Sequence, residues 1–269
     1  MITPIGTEVF SGFKIKYPEF EVLTPQRKQT FSVRSMTVSD EENLKGSVLT
    51  PITVPEHLAQ VLWNCIVKKP EDIKTYEDFI SKTTLRDRDT LVYGLYVATY
   101  KDTQNFNVTC RQCNSQNKVK IDMEKGFNFQ MWDKEEDCLT SRIKVPLKIL
   151  EGVSCYLKAP TMKEEIEVSK LASTMSEQDA AMATDLLMVD HFEIAGTKEN
   201  PNPEIVQDRN NIMTAYNQLP AYDRKLITKE YQDNFDKCRI SVQAKNKCKC
   251  GYEQNINVDV TRQFFLALY

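Results

Sequence analysis

Cys110-Arg111-Gln112-Cys113 runs on into Asn114-Ser115-Gln116-Asn117-Lys118-Val119-Lys120-Ile121-Asp122, and Cys248-Lys249-Cys250 into Gly251-Tyr252-Glu253-Gln254-Asn255-Ile256-Asn257-Val258-Asp259. Aligned without a gap from the last cysteine of each pair, the two stretches set Val119 beside Ile256, Ile121 beside Val258 and Asp122 beside Asp259. Each is a cysteine turn leading into an alternating strand, the local pattern of a zinc-ribbon knuckle. Thiolates are soft ligands that suit zinc, and four of them close a tetrahedral structural site. The metal ligands expected are therefore Cys110, Cys113, Cys248 and Cys250, holding a structural Zn2+, with Gly251 easing the second turn. The one-residue spacing of the second pair is less typical than two, which leaves Cys238 as a substitute ligand.

Working outward, the long stretch between Cys113 and Cys248 must be an insertion whose ends lie close together, as the ends of folded domains commonly do. The N-terminal residues read as extended: Val9-Phe10, Phe13–Tyr17 and Phe31–Met36 are short alternating stretches. Ser39-Asp40-Glu41-Glu42 is a capping-box pattern that should open a short helix. Leu58, Val61, Leu62, Cys65 and Ile66 share one face of a helix expected over 54–69, with Pro55 in its first turn and Pro70 ending it. Helices are also expected over 75–82 and 86–101. Ile143, Val145, Leu147 and Ile149 then alternate in one strand and Val153, Cys155 and Leu157 in the next, with Glu151-Gly152 as the turn and Pro146 marking a sheet edge. Residues 161–236 read as helix, one of them capped at Ser176, with Leu219-Pro220 separating the last two. Apolar positions such as Ile166, Leu171, Leu186, Leu187 and Ile212 supply the inner faces.

The fold class expected is α+β: a zinc-ribbon β element with a helical N-terminal block and a large, mostly helical insertion between the two cysteine pairs. The divisions are an extended arm with strands (1–50), a helical block (51–104) and the first half of the ribbon (105–125). The inserted, mainly helical domain (126–238) follows, then the second ribbon half with an apolar C-terminal tail (239–269).

Composition narrows the function. Of the 269 residues 41% are hydrophobic and 27% charged, a globular balance, and a net charge of -3 gives no global footprint for nucleic acid. No stretch approaches the roughly 18 apolar residues a membrane helix requires, and the N-terminus lacks a secretory pattern. The reducing cytosol is then the expected compartment, and the eight cysteines read as thiols rather than disulfides. Cys65, Cys138 and Cys155 fit as core thiols. A redox reading of Cys110-x-x-Cys113 is disfavoured, because no helix pattern starts at its first cysteine. His57 and His191 fall in helical patterns and read as ordinary residues. With eight glycines the chain offers no phosphate loop, and it has no Gly-x-Ser-x-Gly or His-Glu-x-x-His motif. Glu164-Glu165 and Glu135-Glu136-Asp137 fit caps and solvated faces. Lys237, Arg239, Lys245, Lys247 and Lys249, with Lys118 and Lys120, form a basic edge. That edge could meet phosphates but more simply guards a strand from mispairing.

The order of features carries a resemblance. Thr37-Val38-Ser39-Asp40-Glu41-Glu42 is followed by Leu58-Ala59-Gln60-Val61-Leu62-Trp63-Asn64-Cys65-Ile66. Leu85-Arg86-Asp87-Arg88-Asp89-Thr90-Leu91 comes next, then Val108-Thr109-Cys110-Arg111-Gln112-Cys113. Together they resemble the baseplate hub and hub assembly proteins of T-even-like contractile-tailed bacteriophages. The likeness is best over 30–125 and looser through Leu157–Thr161 and Leu219–Asp223; the shortened Cys-x-Cys departs from it. It implies a structural or assembly component of a phage tail baseplate, hub or wedge, that is not an enzyme. Its partners would be other baseplate or tail subunits, with self-association open, nucleic acid not expected and no membrane. Its places would be the host cytoplasm during assembly and the virion tail baseplate. The rival reading is a zinc-ribbon regulator that binds nucleic acid. The tail residues Phe264, Phe265, Leu266, Leu268 and Tyr269 are the candidate partner-binding segment, either folded back on the protein or docked in a neighbour's groove.

Overall fold

The computed structural model describes residues 16–45, 53–100, 104–122, 127–196 and 201–258. The stretches Val9-Phe10 and Phe13-Lys14-Ile15 and the tail residues Phe264, Phe265, Leu266, Leu268 and Tyr269 lie outside them. The described residues mix helices with four antiparallel sheets, as the α+β reading expects.

Strands β1 (Glu19–Leu23) and β2 (Thr30–Arg34) form a hairpin. Helix α1 (Val38–Lys45) follows. Its cap lies two residues earlier than the sequence pattern suggested: the Asp40 amide donates to Thr37 Oγ1 at 3.2 Å and the Thr37 amide to Asp40 Oδ2 at 2.9 Å. Helix α2 (Val54–Cys65) buries Leu58, Val61, Leu62 and Cys65, as its periodicity demands. It does not continue to Pro70. Ile66–Lys68 leave the helix as strand β3 and pair with β2, Ile66 opposite Val33 and Lys68 opposite Ser32. Ile66 and Val67 are β-branched, so a strand partner outweighs one more helical turn. Helices α3 (Tyr76–Lys82) and α4 (Leu85–Tyr100) match expectation. Gly94 of α4 lets β1 approach closely: a Cβ there would stand 2.2 Å from Val22 Cγ2.

After α4 come the first ribbon hairpin, β4 (Gln104–Thr109) and β5 (Gln116–Ile121), and the short β6 (Phe127–Asn128). Strands β7 (Ile143–Pro146) and β8 (Val153–Leu157) form the next hairpin, with Pro146 on an edge strand as expected. Leu147 and Ile149 belong to its turn. That turn is held from below by the buried carboxylate of Asp223, which accepts the amides of Lys148, Ile149 and Leu150 at 2.8–3.2 Å. Helices α5 (Met162–Ala172) and α6 (Glu177–Asp185) follow, α6 capped by Ser176. The helical reading of 161–236 then fails. A 3-10 turn at Leu186–Met188 leads into β9 (Val189–Ile194), and β10 (Glu204–Val206) completes a sheet of order β10-β9-β8-β7. His191 is thus a strand residue, its ring stacked on Tyr156. Leu186 and Leu187 are buried, in the 3-10 turn rather than on a helix face, and Leu171 is exposed. Helices α7 (Arg209–Gln218) and α8 (Ala221–Asn234) and a 3-10 turn at Asp236–Cys238 precede the second ribbon hairpin, β11 (Ser241–Lys247) and β12 (Glu253–Val258).

One contiguous set of buried side chains runs from Val22 through α2, α3 and α4 to Leu157, Phe192, Ile227 and Ile240. The inserted segment therefore packs on the N-terminal block. Thr84 bridges Thr161, the Leu85 amide donates to Pro160 O (2.9 Å) and the Met162 amide to Thr83 O (3.0 Å). Charge joins the same elements: Arg88 pairs with Asp89 and with Glu165 of α5, and Arg86 with Asp89 and Asp236. Trp132 stacks on Phe235 with ring centres 5.3 Å apart. β11 pairs with β6, whose Phe127 lies against Tyr93 of α4, so the second hairpin is tied to the same core.

Candidate metal centre

Two tight turns present the four cysteines. In the first hairpin the Cys110 amide donates to Ser115 O (2.9 Å) and the Asn114 amide to Cys110 O (3.0 Å). In the second the Cys248 amide donates to Tyr252 O (2.9 Å) and the Gly251 amide to Cys248 O (2.9 Å). Ser115 and Tyr252 occupy equivalent places in the internal repeat, so it extends to backbone hydrogen bonds. The residue after each pair lies in the left-handed region, Asn114 at φ 56 and Gly251 at φ 90. Asparagine tolerates that conformation and glycine adopts it freely. A Cβ on Gly251 would meet no atom within 4 Å, so backbone conformation alone calls for glycine there.

These turns bring together Cys110, Cys113, Cys248 and Cys250, whose sulfurs all lie within 4.8 Å of one another. Cys110 Sγ is 3.7 Å from Cys250 Sγ, and Cys113 Sγ is 3.6 Å from Cys248 Sγ. Four sulfurs about 2.3 Å from a common tetrahedral centre would stand about 3.8 Å apart, so the donor set fits a zinc ion. All eight cysteines are free thiols. In the group of four, Cys110 and Cys248 are buried and Cys113 and Cys250 exposed. The cluster can hold a metal.

Electrostatics points the same way. The Ser115 hydroxyl beside Cys248, with a backbone amide and Asn117, holds that thiol at about 5, well below its ordinary value. Ser115 also lowers Cys113. The Tyr252 amide favours a thiolate at Cys250, but desolvation and hydrogen bonding to the other thiols push it up to about 12. Crowded sulfurs cannot all ionise alone; a dication at their centre would remove that conflict.

The other thiols are elsewhere. Cys65, Cys138, Cys155 and Cys238 are buried, and burial pushes each of them up, Cys65 to about 12 and Cys238 to about 11. Cys238 packs in the hydrophobic core rather than beside the sulfur group, so it is no substitute for Cys250. Of the basic edge, Lys237 pairs with Asp133, Arg239 with Asp236 and Lys247 with Glu253. Lys118, Lys120, Lys245 and Lys249 are exposed. Glu164 closes the capping box of α5, and Glu165 is taken by Arg88.

Three residues that the spacing did not single out connect the two turns. Gln254 of β12 accepts the Arg111 amide at Oε1 (3.1 Å) and donates from Nε2 to Thr109 O (3.1 Å). Asn117 of β5 points Nδ2 at Cys248 Sγ, 3.5 Å away, and Ser115 Oγ lies 3.1 Å from Cys113 Sγ and 3.2 Å from Cys248 Sγ. Asn117 and Gln254 fall at the same position of the repeat, each sending a carboxamide across to the other turn. That coincidence was the available signal.

Among the described residues no helix is long and apolar enough to cross a membrane. A family model described as T4 bacteriophage base plate protein matches residues 17–266. No curated protein and no solved structure matches the chain.

Proposed function

The chain belongs to the T4 bacteriophage base plate protein family, and on that premise we propose that it is a hub or wedge component, or an assembly factor, of a contractile tail baseplate. The match over nearly the whole described chain is the observation that carries this reading. The protein acts by binding other baseplate or tail subunits, during assembly in the host cytoplasm and in the tail of the virion. Cys110, Cys113, Cys248 and Cys250 hold one structural zinc ion, which staples the second ribbon half to the first across the inserted segment. Four thiolates fill a tetrahedral sphere and leave no open position for water or substrate, which supports a non-enzymatic role. Carboxylates on Lys237, Arg239 and Lys247 favour a solvated protein edge over a nucleic-acid surface. The apolar tail residues Phe264, Phe265, Leu266, Leu268 and Tyr269 are proposed to dock on a neighbouring subunit.

Two measurements test the reading. Mass spectrometry of purified virions should find the chain if it is a subunit and miss it if it leaves as an assembly factor. Absence from both virions and baseplate intermediates would overturn the baseplate role. Elemental analysis of protein purified without chelator should find one zinc per chain; finding none would remove the metal from the proposal.

A further inference from the structure

We propose that Ser115 is the positioning residue of the metal centre, its hydroxyl standing between Cys113 of its own turn and Cys248 of the other and donating to the Cys113 sulfur. The proposal rests on the structural-zinc reading above.

The geometry is specific to one edge of the sulfur group. Ser115 follows Asn114, whose left-handed backbone turns the chain back on itself, and the Ser115 carbonyl accepts the Cys110 amide. Its side chain is thereby held between two sulfurs that come from different hairpins, 3.1 and 3.2 Å away, and the sulfurs themselves are 3.6 Å apart. A serine hydroxyl carries one proton and can also accept. With free thiols, a sulfur proton can be donated to Oγ. With both sulfurs as metal-bound thiolates, two donors are needed, and two are in place: the Ser115 hydroxyl for Cys113 and Asn117 Nδ2 for Cys248.

The opposite edge is built differently. The side chain beside Cys250 is Gln112, which faces the sulfur with its acceptor Oε1 at 3.9 Å rather than with a donor. Cys113 and Cys250 are both exposed, so exposure alone would make them equally open to an electrophile. A hydrogen bond from Ser115 draws charge from the Cys113 sulfur, and among the described residues no side chain does this for Cys250. Partners of this kind, one step beyond the ligands, orient metal-binding groups and tune their strength. By stabilising the Cys113 thiolate against protonation and fixing its place, Ser115 makes the metal bind more tightly, and it leaves Cys250 the first ligand to react.

The test uses the full-length zinc-loaded chain as wild type, S115A, S115T and N117A. Chelator competition should show zinc bound roughly 10–100-fold more weakly in S115A, with S115T, which keeps the hydroxyl, restoring most of the difference. Alkylation of the loaded protein with N-ethylmaleimide, read by peptide mass spectrometry, should modify Cys250 before Cys113 in wild type and both alike in S115A. The sulfur-to-metal absorption of the cobalt-substituted protein should shift in S115A and return in S115T. N117A should weaken binding without changing the order of labelling. Ser115 is exposed, so S115A should fold, which far-UV circular dichroism checks. Equal zinc affinity and labelling order in wild type and S115A would overturn the role of Ser115 and leave the zinc site standing. A wild-type chain that holds no zinc would overturn the site itself.

Discussion

Asp87 shows how much of this molecule rests on single side chains. It sits in the first turn of α4 with its carboxyl buried, accepting the amides of Gln26 at 2.8 Å and Arg27 at 3.1 Å. It thereby pins the β1–β2 turn to the helix. Burial pushes its pKa from 3.8 to about 7, although those amides favour the charged form. The folded chain then holds a proton that the unfolded chain has lost between about pH 4 and pH 7. The contribution of Asp87 to stability is full below about pH 4, declines as pH rises to about 7 and is flat beyond. Carboxylates held low, such as Asp40 beside Arg34 and Asp190 beside His191, tilt the overall profile the other way. The comparison with D87N cancels them, because both chains share those groups. In denaturant titrations the stability of wild type relative to D87N should fall by roughly a few kcal/mol between pH 4.5 and 7, then level off. A difference that does not vary with pH would show that Asp87 ionises normally.

At the scale of elements, what was legible in the sequence was local. The repeat around the cysteine pairs predicted two knuckle hairpins, and the structure has them. The faces of α2, α3 and α4 followed from periodicity because each helix buries one stripe against a common core. The errors have tertiary causes. α2 ends short of Pro70 because Ile66–Lys68 find a strand partner in β2, thirty-odd residues earlier in the chain. β9 is invisible to periodicity because Leu186-Leu187-Met188-Val189 has the pattern of an apolar helix face, and only β8 and β10 on either side make the segment it leads into a strand. In the site, the cysteines were visible from spacing, whereas Ser115, Asn117 and Gln254 matter through the opposite hairpin. The zinc proposed for the four cysteines would act unevenly on the elements. Cys110 and Cys113 close the β4–β5 turn and Cys248 and Cys250 the β11–β12 turn. The inserted helices bury Ile166, Ile212 and Ile227 in the core they share with the N-terminal block, away from the cysteine turns. Chelation should therefore abolish protection of the β11 and β12 amides against hydrogen exchange and leave most of the helical circular dichroism intact. Loss of the helical signal together with the ribbon would show that the two melt as one unit.

Taken whole, the described residues share one continuous core and two ribbon hairpins that meet at their cysteine turns, and the tail is proposed as the contact with neighbours. Burying each large apolar tail residue is worth roughly 1.5–3 kcal/mol, whether against this chain or another. Truncation after Arg262 distinguishes the two. A tail docked on a partner should leave the melting temperature of the isolated protein unchanged and abolish incorporation into baseplates. A tail folded back should lower the melting temperature. A truncated chain that is fully stable and fully incorporated would dismiss both. The placing of the two cysteine turns also has a consequence for the growing polypeptide. Cys110 and Cys113 leave the ribosome on the order of ten seconds before Cys248 and Cys250, at typical elongation rates. Until then the first turn has only half a coordination sphere, and translation must pass Gly251 before the second turn can close. Capture of the ion would thus report that both cysteine turns, and all of the insertion between them, have been read. A ribosome that stalled or terminated within the insertion would release a product with two idle thiols and only half of the proposed ligand set.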